Sequence, residues 1–216
     1  MKILLKADDF SLKKNDLMFL EFTKDLEVKV NCGVVGDWLA KASQGQIDDA
    51  KGFSNVEWFS HSYFHFYHPQ TRIREYFLMS EEYQLFSLKM ATKIIEEKLG
   101  RCTTIGFPAN ACDQTTIKLL GKMPEIERVF YLDSCYNYKE LKAVKPVINI
   151  NGYGVLETKD FISYDGFVER FEKRNGEDLV FQLHPNMWSQ EHFHEFIKCL
   201  EYLKKLNVEF IYASEF

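Results

Sequence analysis

Short apolar, β-branched runs alternate along this chain with longer amphipathic segments, and that alternation restricts the fold more than any other feature. The runs are Lys2–Ala7, Val28–Val35, Val56–Ser60, Thr103–Phe107, Arg128–Leu132, Lys145–Ile150, Asp178–Leu183 and Val208–Tyr212. Between them lie segments of helical character: Leu12–Leu26, Trp38–Ala50, a helix capped at Ser80 and stopped at Gly100, Gln114–Lys122, Phe161–Lys173 and Gln190–Leu206. Ser80 followed by Glu81-Glu82 is a helix start with acidic residues in its first turn, and Gly100 is a helix stop. Strands that alternate with helices predict a parallel sheet with helices outside. Seven or eight such strands favour an α/β fold of the (β/α) barrel type, distorted, over an open sheet.

In such barrels the chemistry sits at the carboxyl ends of the strands. The polar residues at these ends are Asp8-Asp9, His61, Pro108-Ala109-Asn110, Asp133 and His184-Pro185. One Asp with His61 and His65 of His61-Ser62-Tyr63-Phe64-His65 offers a divalent metal three protein ligands and leaves a position for water. The second Asp is then available as a base toward that water. An isolated Asp-Asp pair is most often a loop or cap, and many His-x-x-x-His pairs are simply exposed. The order of these elements and their strand context carry the metal reading.

The 216 residues suffice for one sizeable core, and the chain is expected to be a single catalytic domain over 1–216. A net charge of −5 and the lack of a basic tract argue against a nucleic-acid partner. Five cysteines, at 32, 102, 112, 135 and 199, form no C-x-x-C, which suits reduced thiols in a cytoplasmic protein. Met1–Leu5 reads as the first strand and not as a signal peptide, and no apolar stretch has the length of a membrane span. His68 reads as a loop residue, and His192 and His194 as surface residues of the last helix. Trp188 offers a flat face to a sugar ring or packs the start of that helix. Trp38 and Trp58 are expected in the core, and Asp113 as the cap of the helix from Gln114.

With these residues in view, the chain resembles the polysaccharide deacetylases, metal-dependent enzymes that act on acetylated sugars. Asp8-Asp9 is similar to the family's first motif, and the resemblance makes Asp8 the general base and Asp9 a ligand. His61-Ser62-x-x-His65 is similar to the second motif and supplies the other two ligands. Ile105-Gly106-Phe107-Pro108-Ala109 resembles the lead into the third motif, and Leu183-His184 the fifth, whose His is the general acid. The resemblance departs at two places. The third motif carries an Arg after the Phe to orient the base, where this chain has Pro108; Arg72 or Arg74 is a candidate substitute. The fourth motif is reduced to Leu132-Asp133-Ser134, which makes Asp133 the candidate partner of His184.

The implied reaction is removal of an acetyl group from an N-acetylated sugar or glycan precursor, ahead of an O-acetylated one. The implied cofactor is one divalent metal, zinc first, with cobalt, nickel or manganese as alternatives. A backbone N–H near Ala109 or Asn110 would steady the oxyanion. A cytoplasmic address points to a soluble, nucleotide-linked or lipid-linked sugar of glycan biosynthesis. The rival readings are a carbohydrate-binding relative that has lost turnover, and a hydrolase of another amide or C–N bond on the same scaffold.

Overall fold

The computed structural model describes residues 1–156, 163–174 and 176–216. In chain order the elements are β1 (Lys2–Phe10), α1 (Lys14–Asp25), β2 (Val30–Val34), α2 (Gly36–Lys41), α3 (Gln44–Lys51), β3 (Val56–Ser60), α4 (Glu81–Lys98) and β4 (Thr104–Gly106). They continue with α5 (Gln114–Leu120), β5 (Arg128–Tyr131), α6 (Tyr138–Val144), β6 (Val147–Asn149), α7 (Tyr164–Glu172), β7 (Leu179–Leu183), α8 (Gln190–Lys205) and β8 (Glu209–Phe210). The strands form one parallel sheet in the order β6-β5-β4-β3-β2-β1-β7, and β8 pairs with the start of β1. The sheet curls into a distorted barrel. Between its edge strands, the N–H of Gly152 after β6 donates to the Val180 carbonyl of β7 at 3.0 Å, and Asn151 Oδ1 accepts from the Val180 N–H at 2.9 Å.

Side chains alternate across each strand, so one set fills the barrel and the other meets the helices. Leu4, Phe59, Phe130, Ile148 and Val180 form the inner cluster. Ile3, Leu5, Ala7, Cys32, Val34 and Trp58 pack outward against apolar faces such as Phe19 and Leu20 of α1 and Phe193, Phe196 and Leu200 of α8. Two glycines make room for the Phe59 ring in the interior. A Cβ on Gly33 would stand 2.4 Å from the Phe59 ring, and one on Gly106 would stand 2.9 Å from it.

Two expectations need correction. The single helix over Trp38–Ala50 is two helices: Ala42 turns extended, and Ser43 starts α3 by accepting the Gln46 N–H while its own N–H donates to Gln46 Oε1. A short helix, α6, precedes β6 where no regular element was expected, with Leu141 as its one buried residue. Of the expected helix Phe161–Lys173, residues 161 and 162 lie outside the described residues, and α7 covers Tyr164–Glu172. Ser80, Gly100 and Asp113 act as expected: Ser80 and Asp113 accept the N–H groups of Tyr83 and Thr116, and Gly100 takes φ +112° after α4.

Candidate metal centre

Neighbouring residues on a regular strand face opposite ways, yet the carboxylates of Asp8 and Asp9 line one cavity. The register between β1 and β2 shifts between Ala7 and Phe10, and Asp9 adopts a left-handed φ of 60°. This bulge turns Asp9 to the same side as Asp8. His61 follows β3 directly, and its N–H donates to the Val34 carbonyl at 2.9 Å. The segment carrying His65 is a loop and not a helix: Ser62 and His65 have φ of 81° and 54°, and the His65 N–H donates to Ser62 Oγ at 3.0 Å. Buried Glu75 gathers this loop, accepting the N–H groups of Tyr63, Phe64 and Phe66 at 2.9–3.1 Å and the Ser87 hydroxyl.

These elements bring Asp9 Oδ1 to 3.3 Å from His61 Nε2 and 3.0 Å from His65 Nε2. Ligand atoms of all three residues lie within 4.8 Å of one another. His61 Nδ1 stands 2.8 Å from the Gly106 carbonyl oxygen, which can only accept, so Nδ1 carries the proton. The Nε2 lone pair therefore points at Asp9 Oδ1, a buried oxygen with no hydrogen-bond partner among the described residues. Two acceptors facing each other at this range fit a cation between them, and the donor set of one carboxylate and two imidazoles suits zinc or a similar divalent ion. Burial works to lower His65, and the Asp9 carboxylate more than offsets this and moves the ring upward.

Asp8 is 2% exposed and does not belong to this ligand cluster. Both of its oxygens are taken by Lys6 Nζ, with Oδ1 at 2.5 Å, and the same ammonium donates to Gln182 Oε1 at 3.3 Å. Neither candidate arginine reaches Asp8. Arg74 lines the cavity wall, lies over the Tyr67 ring and donates to the Ala109 carbonyl at 3.4 Å, while Arg72 is exposed. Lys6 escaped the sequence reading although a signal was present: it is a charged residue inside an apolar strand, two positions before Asp8 and hence on the same face.

The cavity has a volume of about 430 Å³ and is also lined by Ala109, Asn110, Tyr153, Gln182 and His184. His184 follows β7 and is 8% exposed. Ala109 and Asn110 both take left-handed φ, of 52° and 47°, in the turn after β4, and Asn110 Nδ2 donates to Gln182 Oε1 at 3.2 Å. Two candidates lie elsewhere. Trp188 is 4% exposed and packs among Phe19, Phe193 and Phe196, because the 3-10 turn after His184 folds it under α1 and α8; it offers no face to a ligand. Asp133 is exposed, is not among the cavity-lining residues and pairs with Asn149 through its N–H and a carboxylate oxygen. Trp38, expected in the core, is half-buried with its ring 6.0 Å from that of His65.

No family profile and no curated protein matches the chain. Solved structures do. The family 4 carbohydrate esterase domain of a multidomain xylanase, from the hindgut metagenome of Trinervitermes trinervoides, superposes with a TM-score of 0.69 at 16% identity, covering 99% of this chain and 88% of that one. A peptidoglycan deacetylase from Bacillus subtilis gives 0.66 at 13% identity over 99% and 88%. A pseudoenzyme of the same esterase family from Bacillus anthracis gives 0.65 at 15% identity, over 96% of this chain and 62% of that one. The fold is that of the family 4 carbohydrate esterases and polysaccharide deacetylases, a distorted (β/α) barrel.

Proposed function

We propose that residues 1–216 act as one catalytic domain, a metal-dependent hydrolase that removes an acetyl group from an N-acetylated sugar or glycan precursor. The observation that carries this reading is the convergence of Asp9, His61 and His65 with Asp8 and His184 on one cavity at the carboxyl ends of the strands. Asp9, His61 and His65 hold the ion, zinc before cobalt, nickel or manganese. When bound, such an ion supplies Lewis acidity to the acetyl carbonyl and a more acidic water.

Asp8 accepts the proton of the attacking water. The Asn110 N–H is committed to the Phe107 carbonyl at 3.0 Å, which leaves the oxyanion contact to the Ala109 N–H. His184, facing the same cavity, delivers a proton to the departing nitrogen, so that water and amide become acetate and free amine. An O-acetyl ester is the second substrate class. The cytoplasmic address and a role in glycan biosynthesis remain parts of this proposal; among the described residues no helix is long and apolar enough to cross a membrane.

A pseudoenzyme shares this fold, so a binding-only reading has a specific basis. Against it stands the Asp8–Lys6 pair, which supplies a cation to the base where the sequence lacks the expected Arg. The test is acetate release from N-acetylglucosamine oligosaccharides, nucleotide-linked N-acetyl sugars and O-acetylated xylan, with metal-loaded and chelated protein. Metal-dependent acetate release supports hydrolysis. Sugar binding by metal-loaded protein without acetate release favours the binding relative.

A further inference from the structure

We infer that Lys6 is a positioning residue that sorts the two adjacent carboxylates, holding Asp8 as the base and leaving Asp9 alone as the metal ligand; this rests on the hydrolase reading above. Two neighbouring carboxylates on one side of a bulged strand line the same cavity. A divalent ion has no intrinsic reason to take one and refuse the other. Lys6 supplies the reason. Its ammonium occupies both oxygens of Asp8, whereas Asp9 Oδ1 has no hydrogen-bond partner among the described residues.

The barrel is built around this lysine. Lys6 is 0% exposed, and burying an ammonium is costly unless charge and hydrogen bonds compensate it. The compensation is complete: the Asp8 carboxylate above, Gln182 Oε1 at 3.3 Å beside it, and the faces of Phe59 and Phe130 at 5.5 and 5.7 Å. Gly106 gives it room, since a Cβ there would stand 3.1 Å from Lys6 Cε. Leu4, Lys6 and Asp8 alternate up the inner face of β1, so the pairing follows from strand geometry alone. The register sets Lys6 against Gln182 on β7, which places the third partner.

The decisive experiment compares wild type with Lys6→Met and Lys6→Arg. Freed from the ammonium, Asp8 joins Asp9 on the ion. Lys6→Met is therefore expected to bind zinc at least as tightly as wild type, and its cobalt-loaded form to show a weakened visible band from added coordination. Its kcat on the N-acetyl substrate falls about 100-fold with little change in KM. Lys6→Arg restores the wild-type cobalt spectrum and part of kcat. Wild-type kcat and cobalt spectrum in Lys6→Met, or loss of its metal, would overturn the inference.

Should Lys6→Met fail to fold, nitrogen-15 NMR of the wild-type lysine ammonium groups decides. The Lys6 Nζ signal, assigned by its loss in Lys6→Arg, should exchange its protons slowly and shift in Asp8→Asn. A signal indifferent to Asp8→Asn removes the pairing. A wild type with no turnover on any acetylated sugar sinks the hydrolase reading instead, and the cobalt and NMR readouts still judge Lys6.

Discussion

His61 Nδ1 stands 2.8 Å from the Gly106 carbonyl oxygen, and this contact turns the other ring nitrogen, as a bare lone pair, toward Asp9. A strand-end backbone oxygen thus sets the tautomer of the first histidine, and the loop-borne His65 closes the group. Protein purified without chelator is expected to carry about one divalent ion per chain. His61→Ala and His65→Ala should each weaken zinc binding on the order of 100-fold or more, measured by competition with a chromophoric chelator. Unchanged affinity in both variants would place the metal elsewhere.

Asp8 lies outside the ligand cluster, so replacing it should separate binding from chemistry. Asp8→Asn keeps the side-chain shape, and the neighbouring Asp9, His61 and His65 remain. The expected result is a full metal complement by elemental analysis with turnover down by on the order of 100-fold. Normal turnover would remove Asp8 from the base role.

The sequence exposed the frame of this site more readily than its supports. The apolar run Val56–Ser60 coincides with β3 residue for residue, and the carboxyl-end residues Asp8, Asp9, His61 and His184 line one cavity. Those features depend on local signals: apolar runs, caps and polar residues where a strand ends. Lys6 and Glu75 depend on distance in space. Gln182 lies 176 residues from Lys6, and Glu75 binds N–H groups up to twelve residues earlier that have no sequence signature. Trp188 misled because an aromatic beside a site residue looks identical whether the next turn carries it outward or, as here, under α1.

Glu75 exerts its effect on His65 through the backbone. Its carboxylate binds three loop N–H donors, those of Tyr63, Phe64 and Phe66, and fixes a segment in which Ser62 and His65 take left-handed φ. Glu75→Gln keeps the volume but loses the charge that strengthens these bonds and presents a donor to donors. The loss should be about 1–3 kcal/mol of stability in urea unfolding, with zinc affinity down about tenfold. Zinc affinity at the wild-type level would show that His65 does not depend on this anchor.

Burial pushes the thiols of Cys102, Cys112 and Cys199 up to about 12, and raises Cys32 well above its ordinary range. Since the thiolate is the reactive form, a raised thiol reacts only as pH climbs toward that value. At pH 8 such a group is about one part in ten thousand thiolate. Cys135 is also raised by burial but is partly exposed. Ellman's reagent at pH 8 should therefore label Cys135 first and slowly in native protein, and all five thiols once it is unfolded. Rapid native labelling in Cys135→Ser would contradict the packing described around the other four.

His184 presents the sharpest chemical test, because it faces the cavity yet is not part of the Asp9–His61–His65 group. Cleaving an amide expels a nitrogen that leaves poorly without a proton, and an imidazole can carry that proton to it. An activated aryl acetate expels a phenolate that needs no proton. His184→Ala should retain its metal and lose on the order of 100-fold or more in turnover of an N-acetyl sugar, while hydrolysis of 4-nitrophenyl acetate falls far less. Because both reactions share the water, the base and the oxyanion contact, their ratio isolates the protonation step. Equal losses on amide and ester, or loss of the metal, would assign His184 to orienting substrate or to holding the ion, and not to protonating the leaving group.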